Sequence, residues 1–104
     1  MMSTEIINDV KIDEKIKKKV TEPKKYNVIF LNDDVTPITW VIEVLKQIYK
    51  HNEKSAENIT MTIHTEGSAV VGTYFFEIAE QKATETVNVS RNHGFPLQVK
   101  IEQE

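Results

Sequence analysis

Apolar and polar positions along the chain fall into segments of two different periods. Tyr26-Asn27-Val28-Ile29-Phe30-Leu31 is rich in aromatic and β-branched residues, which predicts a strand. From Pro37 to about Lys50, apolar residues recur at Val41, Val44, Leu45, Ile48 and Tyr49. That 3.6-residue spacing predicts a helix with one buried face. His51 and Asn52 end it. Ser55 can cap a second, shorter helix from Ala56 to Ile63 or His64, and Gly67 is placed to close it in a left-handed conformation. Ser68 to Tyr74 predicts a second strand. A third helix follows over Phe75 to Asn92, with Phe75, Ile78, Ala79, Ala83 and Val87 facing inward. Its end, Thr84 to Ser90, is weaker because β-branched residues form helix less readily. His93-Gly94 stops it. Leu97-Gln98-Val99-Lys100-Ile101 alternates as a last strand with Leu97, Val99 and Ile101 on one face. The order β-α-α-β-α-β predicts an α+β fold, a small two-layer sandwich with three helices on a three-stranded sheet.

Residues 1–24 break this pattern. They hold Ile6, Ile7, Val10, Ile12, Ile16 and Val20 but no aromatic residue and no glycine. A helix around residues 9–20 would be marginal alone in water. The segment is therefore expected to be a flexible N-terminal extension, and residues 25–104 the folded core. Charge divides at the same place. Six lysines against five acidic residues give residues 1–24 a net +1, and seven Lys/Arg against eleven acidic residues give the remainder a net −4.

Composition narrows the function. A chain of 104 residues makes one small domain, and its net charge of −3 disfavours nucleic acid, which selects a basic face. It has no cysteine, hence no disulfide, thiolate nucleophile or Cys-ligated zinc, in keeping with a reducing cytoplasmic setting. No apolar run reaches membrane-spanning length. Neither a nucleophile elbow nor a Gly-rich phosphate loop is present, since Gly67, Gly72 and Gly94 are scattered. His51, His64 and His93 share no recognised ligand spacing. Asp33 and Asp34 are adjacent, so they alternate in direction and flank a scissile bond poorly. The expectation is a binding protein with no catalytic residue, no metal and no cofactor.

The candidate chemistry lies in Asn32-Asp33-Asp34-Val35-Thr36-Pro37, between the first strand and the first helix. Thr36 reads as an N-cap and Pro37 as the first helical residue. Such residues are ordinary at turns. With Thr36-Pro37 as the cap, however, two aspartates exceed what the turn requires. Asn32, Asp33 and Asp34 offer acceptors and negative charge. Their natural ligand is a cation, or a group with several N–H donors. His64 ends the second helix and can face the same crevice.

These residues also carry a resemblance. Leu31 to Ile38, then Ile63-His64-Thr65-Glu66-Gly67-Ser68-Ala69-Val70-Val71-Gly72, then Phe75 to Lys82 and Pro96-Leu97, together resemble the ClpS adaptor family over about residues 25–102. The resemblance implies an adaptor, or N-recognin. It would bind proteins whose first residue is Leu, Phe, Tyr or Trp and deliver them to a ClpA- or ClpC-type AAA+ unfoldase with ClpP. It implies that Asn32 and Asp33 frame the ligand backbone, and that Asp34 and His64 accept from its ammonium group. Thr36, Ile38, Val41, Thr60, Ile63 and Leu97 would wall an apolar pocket. Glu77 and Lys82 would contact the unfoldase, and the extension would engage it during delivery. Two positions depart from the pattern, since many members carry Met where Ile38 and Thr60 stand. Ile and Thr are stiffer at χ1 than Met, so a more rigid or differently sized pocket is expected. A decoy that occupies the unfoldase without delivering substrate is the alternative.

Overall fold

A computed structural model describes residues 23–104. The extension expected at the N-terminus thus lies, up to residue 22, outside the described residues. The elements are β1 (Lys25–Leu31), α1 (Ile38–Gln47), α2 (Glu53–Glu66), β2 (Ser68–Phe75), α3 (Phe76–Asn92) and β3 (Gln98–Gln103). The order is the expected β-α-α-β-α-β. β1 lies in the centre of the sheet, antiparallel to β2 on one side and β3 on the other.

The core lies between the sheet and the helices. Val28, Phe30 and Val71 meet Val41, Val44, Leu45, Ile48 and Tyr49 from the first helical segment, with Ala56 and Ile63 from α2. Phe30 and Tyr49 pack edge to face at 5.4 Å between ring centroids. A bulge interrupts the β1–β2 ladder, because Val28 pairs with Gly72 and Ile29 with Val70. Val71 is the extra residue, and it is buried.

Several details differ from the expectations: β2 extends to Phe75, β3 runs over Gln98–Gln103 rather than Leu97–Ile101, and the first two helices shift for local reasons. α1 begins at Ile38 rather than Pro37, because Pro37 stays extended at φ −66° and ψ 145°. Thr36 makes no cap there. α1 also ends at Gln47, and the chain reverses through Lys50 at φ 63°. α2 runs longer than expected, over Glu53–Glu66. Its cap is Asn52, whose side chain accepts from the Ser55 N–H at 2.8 Å. Asn is as good a cap as Ser, and it comes first in the chain.

The inward face of α3 is the largest departure. Phe75 closes β2 and is half exposed, as is Ile78. Ala79 and Ala83 are buried as expected, and Thr86 and Ser90 complete the buried row. Small side chains let α3 lie close to the sheet. Their hydroxyls are paired: Thr86 donates to the Lys82 carbonyl at 2.7 Å, and Ser90 accepts from the Trp40 indole at 2.9 Å. Thr86 also accepts from the Tyr49 hydroxyl at 2.8 Å. Burial pushes that phenol above its usual range despite the hydrogen bond. Lys82 reaches across to the Ile48 carbonyl at 2.8 Å, with its ammonium near the faces of Tyr49 and Tyr74.

Lys82 therefore closes the C-terminal end of α1 rather than standing on a solvated face. Lys82→Met should cost about 1.5–3 kcal/mol, the range for a hydrogen bond to a charged group. Glu77→Gln, at an exposed position, should change stability by less than about 0.5 kcal/mol. Urea melts of the two variants check the contrast.

Candidate functional site: a polar-rimmed apolar cavity

The turn after β1 is held in two ways. Its first residue, Asn32, donates its backbone N–H to the Gly67 carbonyl at 2.9 Å. This sets the turn against the C-terminal end of α2. Gly67 itself adopts φ 94° and closes α2, its N–H donating to Ile63. A Cβ added at Gly67 would meet nothing within 4 Å. The cost of Gly67→Ala is thus in the backbone alone, about 1–2 kcal/mol for a left-handed L-residue. A thermal melt should record that loss with no change of fold.

The second restraint is Asp33. Its Oδ1 accepts from the Val35 and Thr36 N–H groups, both at 2.7 Å, and its Oδ2 from the Thr36 hydroxyl at 2.8 Å. Partial burial raises the pKa of this carboxyl, but the three donors outweigh it and hold it below the usual carboxylate value. Asp33 is therefore the organiser of the turn. The idea that Thr36-Pro37 caps α1 and leaves both aspartates spare is corrected for this one: Asp33 holds the turn ahead of α1, and α1 itself has no side-chain cap. Asp34 is the spare carboxylate. It is exposed, and its side chain forms no hydrogen bond with another described residue. The same holds for the side chains of Asn32 and His64.

Turn and helix end enclose a cavity of about 230 Å³. Asn32, Asp33, Asp34 and His64 line its polar side. Its apolar side is built by Thr36, Ile38, Val41, Thr60, Ile63 and Leu97, together with Leu31. Every residue named for the ligand site from the sequence thus borders one cavity, and Leu31 is the addition. As the last residue of β1, Leu31 read only as strand. Val41, Thr60, Ile63 and Leu97 are buried and form the inner wall, whereas Ile38 is 45% exposed. The Thr60 hydroxyl donates to the Ala56 carbonyl at 2.7 Å, so it offers the cavity no free donor. The C-terminal end of α2 adds partial negative charge through its macrodipole. With Asp34 beside it, the rim favours a cation. The volume is below the usual small-molecule range of about 300–1,000 Å³. It suits one side chain.

Glu77 and Lys82, named for a second surface, do not border this cavity. Glu77 is exposed in the first turn of α3, next to exposed Phe75, Phe76 and Ile78. No helix among the described residues is long and apolar enough to cross a membrane.

Known proteins place this geometry. The sequence profile described as "ATP-dependent Clp protease adaptor protein ClpS" matches residues 21–100. The chain belongs to the ClpS family. The ClpS adapter protein of Nautilia profundicola is 44% identical over 85 residues, which covers 82% of this chain and 88% of that protein. The Treponema denticola ClpS adapter is 40% identical over 88 residues, covering 85% of this chain and 87% of that protein. Among solved structures, Agrobacterium tumefaciens ClpS2 bound to L-phenylalaninamide superposes with a TM-score of 0.78 at 42% identity. It covers 80% of this chain and all of that one. ClpS proteins are adaptors of the Clp protease, so a Clp protease is this chain's class of partner.

Proposed function

We propose that the cavity holds the first residue of a polypeptide, and that the domain delivers that polypeptide to a Clp AAA+ unfoldase for degradation. The observation that carries the reading is the pairing of an acceptor-rich rim with an apolar interior in one cavity of single-side-chain size. A free α-amino group has a pKa of about 7.7–8.0, so it is largely cationic at neutral pH. It brings three donors. Asp34 and His64 accept from it, Asn32 fixes the adjacent backbone, and Asp33 holds the frame. The side chain then enters between Val41, Thr60, Ile63 and Leu97. L-phenylalaninamide, the ligand of the Agrobacterium relative, has this chemistry: a free α-amine, an apolar side chain and no carboxylate. The preferred first residues are accordingly Leu, Phe, Tyr and Trp.

The extension and Glu77 belong to delivery. Glu77 lies amid the exposed Phe75, Phe76 and Ile78, an apolar patch edged by Glu77, Lys24 and Lys25. That composition fits docking onto a ClpA- or ClpC-type unfoldase, which passes substrate to ClpP in the cytoplasm. Lys82 supports this surface from behind, through the Ile48 carbonyl.

The test is fluorescence anisotropy with labelled peptides that begin with Leu, Phe, Tyr, Trp or Ala. Micromolar binding of the first four but not of Ala supports the reading, and equal binding of all five defeats it. Pocket shape supplies a finer outcome. Thr60→Met adds side-chain bulk to the inner wall. It should weaken the peptide beginning with Trp relative to that beginning with Leu by about 1–3 kcal/mol, the usual penalty for overpacking. Ile38→Met, at the half-exposed mouth, should change the ranking less. Unchanged affinities in both variants would show that neither residue shapes the pocket.

A further inference from the structure

A second groove, of about 830 Å³, runs between α1 and α3 and shares no residue with the ligand cavity. Its floor is apolar, from Trp40, Val44, Ile48 and Val89. Glu43, Glu77, Glu80 and Glu85 line its sides, all exposed, and no lysine or arginine does. None of these four glutamates forms an ion pair with another described residue. Like charges gathered on an apolar trough call for a cationic, partly apolar occupant.

The chain itself carries such a segment. Ile12, Ile16 and Val20 recur at intervals of four residues, and Lys15, Lys17, Lys18 and Lys19 among them outnumber Asp13 and Glu14, for a net +2. The point of attachment is favourable. Pro23, the first described residue, borders a cavity of about 600 Å³ together with Phe76, Glu77 and Ile78. Glu77 also borders the groove, so the chain enters beside its end. The face of α3 from Glu77 to Asn92 is roughly 22 Å long, and Ile12 to Val20 as a helix would span roughly 12 Å. Thr21 and Glu22 supply the short link. An isolated helix of this length is marginal in water, but an amphipathic one gains stability when its apolar face enters a groove.

We infer that residues 12–20 dock in cis in the groove between α1 and α3, with Ile12, Ile16 and Val20 on its floor and the lysines against its glutamates. The docked segment covers Glu77 and neighbouring turns of α3. A partner that reads this helix must displace it, and displacement frees the extension at the moment of engagement. The inference concerns a surface separate from the peptide cavity and holds whether or not that cavity binds N-termini.

Trp40 is the only tryptophan and lies in the groove, so its indole N–H resonance is a unique reporter. The chain has no cysteine, so Asp9→Cys in the full chain accepts a single nitroxide. Docking predicts that the nitroxide broadens the indole resonance at low salt. Intensity should return when ionic strength rises from about 0.1 M to 1 M, which shortens the screening length from about 10 Å to about 3 Å. It should also return when Lys15, Lys17, Lys18 and Lys19 are all changed to Glu. Adding Glu77→Lys, Glu80→Lys and Glu85→Lys to that variant should restore the broadening. Full intensity in the parent chain at low salt overturns the inference, as does failure of the charge swap to restore it. Broadening that appears only when nitroxide-bearing chains are mixed with isotope-labelled ones means a second copy supplies the segment, which overturns docking in cis.

Discussion

A peptide that begins with leucine and has a free α-amino group is expected to bind with micromolar affinity, and its N-acetylated twin about 100-fold more weakly. Acetylation leaves the side chain intact, so the apolar contribution of about 1.5–3 kcal/mol is retained. What is lost is the cation and two of its three donors. Charge-assisted hydrogen bonds contribute roughly 1.5–3 kcal/mol each in general. Asp34 and His64 are exposed, so solvent screens the pair, and a combined loss of about 3 kcal/mol is the reasonable figure. The affinity of the free-amine peptide should also fall as pH rises past about 8, because the bound form is the ammonium. The acetylated peptide should show no such dependence. Equal anisotropy curves for the two peptides would remove the ammonium site from the cavity.

Adjacent aspartates should give opposite results when each is changed to alanine. Asp33→Ala removes an ionised acceptor of three hydrogen bonds and leaves the Val35 and Thr36 N–H groups without their partner. It should lower stability by about 1.5–3 kcal/mol and abolish peptide binding through loss of the frame. Asp34→Ala removes no hydrogen bond to a described residue. Its stability should stay within about 0.5 kcal/mol of the parent, while affinity falls about tenfold. Acid distinguishes them further. The Asp33 carboxyl titrates lower in the folded chain than in the unfolded one, so its stabilisation is complete above the unfolded pKa near 3.9. It is lost as pH falls through the lowered folded value. The acid limb of a stability–pH curve should accordingly be shallower in Asp33→Ala than in Asp34→Ala. Melts and anisotropy on the two variants separate frame from ligand contact.

Elements with strong period were legible in the sequence, and so was the polar rim of the cavity, whereas its apolar wall was implied only by the family resemblance. Val41, Val44, Leu45, Ile48 and Tyr49 are all buried, as their 3.6 spacing required. Gly67 stands in the left-handed conformation its position implied. What misled were competitions between equivalent local choices. Thr36 and Asp33 each read as the residue that fixes the turn, and Asn52 and Ser55 can each cap α2. Sequence ranks neither pair, whereas the route of the chain does. On α3 the apolar pattern found Ala79 and Ala83 but also pointed to Phe75 and Ile78, whereas close approach to the sheet selected Thr86 and Ser90 beside the two alanines. Thr and Ser carry no apolar signal, and their burial depends on partners supplied by Tyr49 and Trp40 from another helical segment. Lys82 is similar. Its acceptor is a backbone carbonyl far along the chain, and a carbonyl leaves no trace in a residue's identity.

β1 is the middle strand of three, and it leads directly into the turn that frames the cavity. Both of its ladders must open before its amides meet solvent, whereas β2 and β3 each pair on one side only among the described residues. The scaffold under the ligand site is thus expected to be the last part of the sheet to exchange its hydrogens with water, near the limit set by unfolding of the whole domain. A ligand seated at the rim would therefore rest on the strand of the sheet that is best shielded from solvent.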